Sequence, residues 1–166
     1  MNSYLIFDIE TGGLSPLSAS ISCICCRSVD SKTAPVCFSG DFEATIIKNF
    51  VSFLEKEKVT HLVTYNGWAF DVPFLRVRAM ANGIKLPPIF WDDSKLVDPY
   101  HILARNKTGK QHEFGDLFGA PTVGSGLECL SLFQKGDFSK IEEHCKSDVL
   151  VLDCIFHKML DSGFVG

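Results

Sequence analysis

The chain is short of positive charge. It carries 16 Lys and Arg against 20 Asp and Glu, a net charge of −4 over 166 residues. That excludes a protein that holds nucleic acid by a broad basic surface alone, though not one that takes nucleic acid as a substrate. The N-terminus has no basic segment followed by an apolar stretch, so no secretory signal is expected. No run is long and apolar enough to span a bilayer: the longest uncharged stretch, residues 11–26, is broken by Gly, Pro and Ser. Nor is there an internal repeat, a low-complexity tract or a linker, so one domain over residues 1–166 is expected. Charged residues make up only 22% and hydrophobic ones 46%, 14 Phe among them, which excludes global disorder and supplies a core. The seven cysteines are an odd number and cannot all pair within the chain. Without a secretory signal, reduced thiols in an intracellular, cytoplasmic setting (a host cell's, for a viral protein) are the simpler expectation.

Cys23, Cys25, Cys26 and Cys37 cluster in sequence, but C-x-C-C lacks the paired C-x2-C spacing of zinc knuckles. On a strand, Cys23 and Cys25 would share one face and Cys26 take the other, as small buried hydrophobes of a hairpin.

The patterning predicts a mixed α/β sheet covered by helices. Residues 4–9 are an apolar run that reads as a buried strand ending in Asp8 and Glu10. Residues 11–16 form a turn, 19–29 and 34–39 two further strands joined by a turn at 30–32, giving a three-stranded antiparallel portion. Residues 42–58 carry apolar positions at helical spacing, 61–64 form a short strand, and 70–82 a helix stopped by Gly83. Residues 90–98 read as another strand, 99–126 as short helix and loop, and 139–160 as a last helix with Ser139 and Glu142 as a capping box.

Acidic residues stand where apolar ones would be expected. Asp8 and Glu10, two apart on a strand, face the same way and repel, unless a divalent ion such as Mg²⁺ sits between them or the strand end is simply solvated. Asp71 lies among aromatics and aliphatics, where an acid at a helix N-terminus is also favoured by the helix dipole. Asp148 lies one turn after His144, so the two project together from one helix face.

These residues fall into a pattern. Phe7-Asp-Ile-Glu-Thr-Gly-Gly-Leu14, Thr64-Tyr-Asn-Gly-Trp-Ala-Phe-Asp-Val-Pro-Phe-Leu75 and Gly136-Asp-Phe-Ser-Lys-Ile-Glu-Glu-His-Cys-Lys-Ser-Asp-Val149 resemble, in order, the three motifs of the DEDD 3′–5′ exonucleases of the ribonuclease H-like fold. Within that group the chain is similar to the proofreading-like exonucleases related to family B DNA polymerases. The resemblance implies an α/β ribonuclease H-like mixed sheet, antiparallel over three strands and parallel beyond, flanked by helices. It implies that Asp8, Glu10, Asp71 and Asp148 hold two divalent ions, Mg²⁺ or Mn²⁺. It also implies that Thr11, Gly12 and Leu14 touch the 3′-terminal nucleotide, with Gly12 and Gly13 admitting close backbone approach, and that Asn66 and Phe70 lie near the substrate strand.

One position departs from the family. The water-activating residue is Tyr four before the last Asp in one subfamily and His five before it in the other; here His144 stands four before Asp148. An imidazole can take a proton from water, so His144 is expected to act as general base. The activity implied is metal-dependent hydrolysis at a single-stranded 3′ end, DNA favoured over RNA, releasing nucleoside 5′-monophosphates. A replication or repair partner stays open, and no membrane role is expected. The competing expectations are a nuclease-like nucleic-acid-binding module without turnover and, remotely, a zinc protein. Outside the motifs, Arg105-Asn-Lys-Thr-Gly-Lys-Gln-His112 could steer a phosphate backbone or be a solvated loop, Trp68 could stack on a base or serve packing, and Arg76 and Arg78 are expected on an exposed helix face.

Overall fold

Eight residues, Tyr4–Thr11, form the central strand β1, and the side-chain alternation along it decides what each face of the sheet becomes. The computed structural model describes residues 3–29, 31–104, 109–120, 123–124 and 126–164. β1 pairs antiparallel with β2 (Ile21–Ser28), which pairs antiparallel with β3 (Val36–Ser39). On its other side β1 runs parallel to β4 (His61–Val63), and β4 runs parallel to β5 (Leu96–Val97). The order is β3-β2-β1-β4-β5, the expected mixed sheet. β1 stands where the sheet changes from antiparallel to parallel, and in open α/β sheets sites gather outside strand C-termini at such a break.

Leu5, Phe7 and Ile9 of β1 enter one core, with Ile46, Ile47 and Phe50 of α1 (Glu43–Glu57) and Val72, Phe74 and Leu75 of α2 (Asp71–Ala81). Phe7, Phe50 and Phe90 pack ring against ring there, with centroids 5.6–6.1 Å apart. Ile6 enters the other core, under α6 (Phe138–Asp161), whose expected stripe of Ile141, Cys145, Val149, Leu152, Phe156 and Met159 is buried throughout. Three shorter helices complete the chain: α3 (Pro99–Ala104), α4 (Gln111–Phe118) and α5 (Gly126–Lys135), with α4 and α5 lying against α6.

Several expectations are corrected. The strand expected over 90–98 is two 3₁₀ turns, Pro88–Trp91 and Asp93–Lys95, followed by the two-residue β5. The apolar residues there fill gaps between elements: Phe90 is buried in the α1–α2 core. α6 is capped by Asp137, whose carboxylate accepts from the Lys140 N–H, so Ser139 lies inside the helix. Arg78 grips Glu43 at 2.7 and 2.9 Å and donates to the Pro16 carbonyl. Arg76 donates to the Phe90 carbonyl and lies over the Trp91 ring. Both arginines therefore tie α2 to its neighbours. Cys25 and Cys37 stand directly opposite in the β2–β3 ladder and form a disulfide, so the expectation of uniformly reduced thiols does not hold. Cys23 and Cys25 do share the α6 face while Cys26 faces the other core, and the disulfide removes Cys25 as a thiolate ligand. The turn residue Asp30 and the first half of the basic segment, residues 105–108, lie outside the described residues. Among the described residues no helix is long and apolar enough to cross a membrane.

Candidate active site

Asp8 and Glu10 share the face of β1 that carries Ile6, so both turn toward α6. The Cys145 thiol of α6 lies 3.4 Å from the Asp8 carboxylate. Between Glu10 and Thr11 the β1–β2 register slips, and the Ser22 hydroxyl donates to the Glu10 carbonyl. Such a bulge ends the regular ladder and re-aims the last side chains of the strand.

Asp71 arrives from the opposite side. Pairing of β1 with β4 ends at Ile6, and beyond it the Ile9 N–H is taken by the Asp71 carboxylate at 3.3 Å. Asp71 is the first residue of α2, as the helix-terminus reading required, and is 4% exposed. The turn before it is set by Asp98, which sequence reasoning missed. Its carboxylate accepts from the backbone N–H groups of Asn66, Trp68 and Tyr100 at 2.8–3.1 Å. The signal was present: Asp followed by Pro99 at the first position of a helix is an N-cap pattern. Held so, Asn66 adopts φ +56°, and Gly67 passes so near Thr64 that a Cβ would lie 2.1 Å from its methyl carbon.

α6 supplies His144 and Asp148. His144 Nε2 lies 3.4 Å from Glu10 Oε1 and 3.4 Å from Asp148 Oδ2. Its Nδ1 is 2.6 Å from the Val123 carbonyl, which can only accept, so Nδ1 carries the hydrogen and Nε2 faces the carboxylates. Gln111 of α4 donates to the Asp148 carbonyl and Tyr65 to the Gly109 carbonyl, which closes α4 over the site.

A cleft of ≈ 750 Å³ results, walled by Asp8, Glu10, Asp71, Asp148 and His144 together with Asn66 and Phe70. Lys110 and His112, the described end of the basic segment, also line it. Thr11, Gly12 and Leu14 lie outside its walls: Leu14 is exposed, and the Thr11 hydroxyl donates to the Gly13 carbonyl. Gly12 is needed for packing, since a Cβ there would sit 2.6 Å from the Phe133 ring of α5. Trp68, half-exposed, meets the His101 ring edge-on.

Burial, then the neighbouring carboxylates Asp71, Asp148 and Glu10, push Asp8 well above the usual carboxylate range. Burial raises Glu10 to about 7, against the opposing pull of His144, and raises Asp71 to about 7, against its backbone hydrogen bonds. Burial likewise raises Asp148, with His144 opposing. Carboxylates crowded in this way store repulsion that cations relieve. Oxygen atoms of Asp8, Glu10 and Asp148 come within 4.8 Å of one another, and an all-oxygen donor set suits a hard divalent ion.

Residues 18–161 match the family described as a predicted 3′–5′ exonuclease related to the exonuclease domain of PolB. The chain belongs to that family. It is thus a 3′–5′ exonuclease; of the five residues converging on the cleft, Asp71, His144 and Asp148 lie inside the matched segment and Asp8 and Glu10 precede it. Among solved structures, the family B DNA polymerase from the hyperthermophilic archaeon Pyrobaculum calidifontis superposes with TM-score 0.81 at 20% identity, over 96% of this chain and 25% of the polymerase. The exonuclease therefore has the fold of a segment of that polymerase and spans a quarter of its length. No curated protein matches the sequence.

Proposed function

We propose that this exonuclease hydrolyses phosphodiester bonds at the 3′ end of single-stranded nucleic acid, DNA in preference to RNA, and releases nucleoside 5′-monophosphates. Asp8, Glu10, Asp71 and Asp148 would hold two ions, Mg²⁺ or Mn²⁺. The observation that carries the reading is the convergence of these four carboxylates and His144, from β1, α2 and α6, on one cleft. Bound there, the ions would supply the positive charge that stabilises the attacking and leaving oxygens of an in-line displacement.

The chain's own groups do the rest. His144 Nε2 takes the proton of the attacking water, and the Nδ1–H bond to the Val123 carbonyl holds the ring in the tautomer that leaves Nε2 free to accept it. Asn66 and Phe70 wall the side along which the strand would enter, and Lys110 offers charge to its phosphates. Thr11 ends β1 beside Glu10, and the turn that follows with Gly12 carries exposed Leu14, which would meet the terminal nucleotide. The preference for DNA is supported by the family's relation to the PolB exonuclease domain.

Matched 3′-labelled DNA and RNA oligonucleotides, with Mg²⁺ or Mn²⁺, test this. Mononucleotide release faster on DNA and abolished by Asp8→Ala is expected. Release unaffected by Asp8→Ala would overturn the site, and tight binding without hydrolysis would favour a binding module.

A further inference from the structure

Four carboxylates and a general base account for the cleft, yet a thiol lies just behind it, against Glu10. Cys129 of α5 is 2% exposed and hydrogen-bonds Glu10. The ligand atoms of Glu10, Cys129 and His144 lie within 4.8 Å of one another, and all three residues are buried. His144 is oriented as metal-binding imidazoles are: one ring nitrogen donates to a backbone carbonyl and the other faces the prospective ligands. Asp148 Oδ2 lies 3.4 Å from the same Nε2 but outside this cluster, so the fourth position is left to water. A separate cavity of ≈ 380 Å³ between α5 and α6, lined by Cys129, Leu132, Glu143 and His144 among others, gives an ion a path to the sulfur.

We propose that Glu10, Cys129 and His144, with water in the fourth position, form a site for a thiolate-seeking divalent cation of the zinc type, and that this ion shuts off the nuclease. Sulfur, imidazole nitrogen and carboxylate oxygen are the donors of tetrahedral zinc sites, whereas Mg²⁺ takes oxygen and avoids sulfur. On binding, the Cys129 thiol proton leaves to solvent and the sulfur lone pair goes to the ion. Glu10 cannot hold both this ion and the oxygen-bound pair, nor can His144 both bind this ion and take the proton of the attacking water, so occupancy and hydrolysis exclude each other. The inhibition rests on the function proposed above; the binding site does not.

The test is titration of the full chain with Co²⁺, followed by the near-ultraviolet charge-transfer absorption of a thiolate–Co²⁺ bond. One equivalent should bring up the band, and one equivalent of Zn²⁺ should bleach it. The band should vanish in Cys129→Ser, whose hydroxyl still donates to Glu10, and persist in Cys154→Ser, a change to a half-buried thiol elsewhere on α6. His144→Gln, which removes a different ligand, should weaken Co²⁺ binding by at least ~10-fold. No band in the wild-type chain, or a band that survives Cys129→Ser, overturns the site. In Mg²⁺-supported oligonucleotide hydrolysis, Cys129→Ser should need at least ~10-fold more Zn²⁺ for half-inhibition. Undiminished zinc inhibition in that variant overturns the regulatory claim, while a Co²⁺ band without any hydrolysis would leave the site standing and refute the nuclease reading instead.

Discussion

Replacing Asp71 with asparagine should stabilise the ion-free protein while removing one carboxylate of the proposed metal site. Asp71 is 4% exposed, its carboxylate accepts from the Ile9 N–H at 3.3 Å, and burial raises it from 3.8 to about 7. An acid harder to ionise in the folded chain than in the unfolded one destabilises the fold as pH rises. Below about pH 4 both states are protonated and nothing is lost. Between about pH 4 and 7 the unfolded chain ionises first, and above about 7 the loss is complete. A rise from 3.8 to about 7 corresponds to ~4 kcal/mol, and sharing of protons with Asp8 and Glu10 brings the expected effect to ~2–4 kcal/mol. The amide oxygen of the new side chain still accepts from Ile9, so the hydrogen bond is kept and the charge removed. For a chain of this length that is a rise in Tm of ~5–15 °C. Thermal and urea unfolding in EDTA at about pH 4, 6 and 8 measure it. The gain should be absent near pH 4 and full at pH 8, and adding Mn²⁺ should raise the Tm of wild type more than that of the Asp71→Asn variant. No gain at pH 8, or the same gain at pH 4, would refute the argument that burying the ionised Asp71 carboxylate costs the fold stability.

Gly67→Ala places a methyl 2.1 Å from the Thr64 methyl carbon and should destabilise by ~1–3 kcal/mol, read as a lower urea midpoint; an unchanged midpoint would mean the turn relaxes freely. Asp137→Ala should cost ~1 kcal/mol by uncapping α6, while Ser139→Ala stays within ~0.5 kcal/mol; equal effects would contradict the capping assignment. His144→Gln should lower the single-turnover rate on a 3′-labelled oligonucleotide by ~10²–10⁴-fold, since the amide cannot take up the proton; a rate within a few-fold of wild type would remove His144 as general base.

Periodicity and composition carried a great deal. The apolar run of β1, the two-residue spacing of Asp8 and Glu10, the four-residue spacing of His144 and Asp148, and the stripe of α6 are local facts. A strand alternates and a helix turns regardless of what lies across from it. These facts, with the motif resemblance, were enough to name all five residues that now meet in the cleft. Capping failed by two residues because Asp137 and Ser139 both suit an N-cap, and only the path of the chain into α6 chooses between them. The 90–98 segment failed because apolar residues that fill gaps between elements look, in one dimension, like a strand.

Contacts between residues far apart in sequence had no local signature. Phe133 against Gly12, Arg78 on Glu43, Cys25 joined to Cys37 and Asp98 under the 65–68 turn all arise from the sheet order. Cys129 is the clearest case: nothing in its neighbourhood on α5 marks it as more than a buried thiol. The sequence alone determined which groups could do chemistry here, because residue type and local spacing are written in it. The tertiary structure decided which of them share a cleft and that a thiol lies just behind it, because those distances are set by how α2, α5 and α6 dock on the two faces of β1.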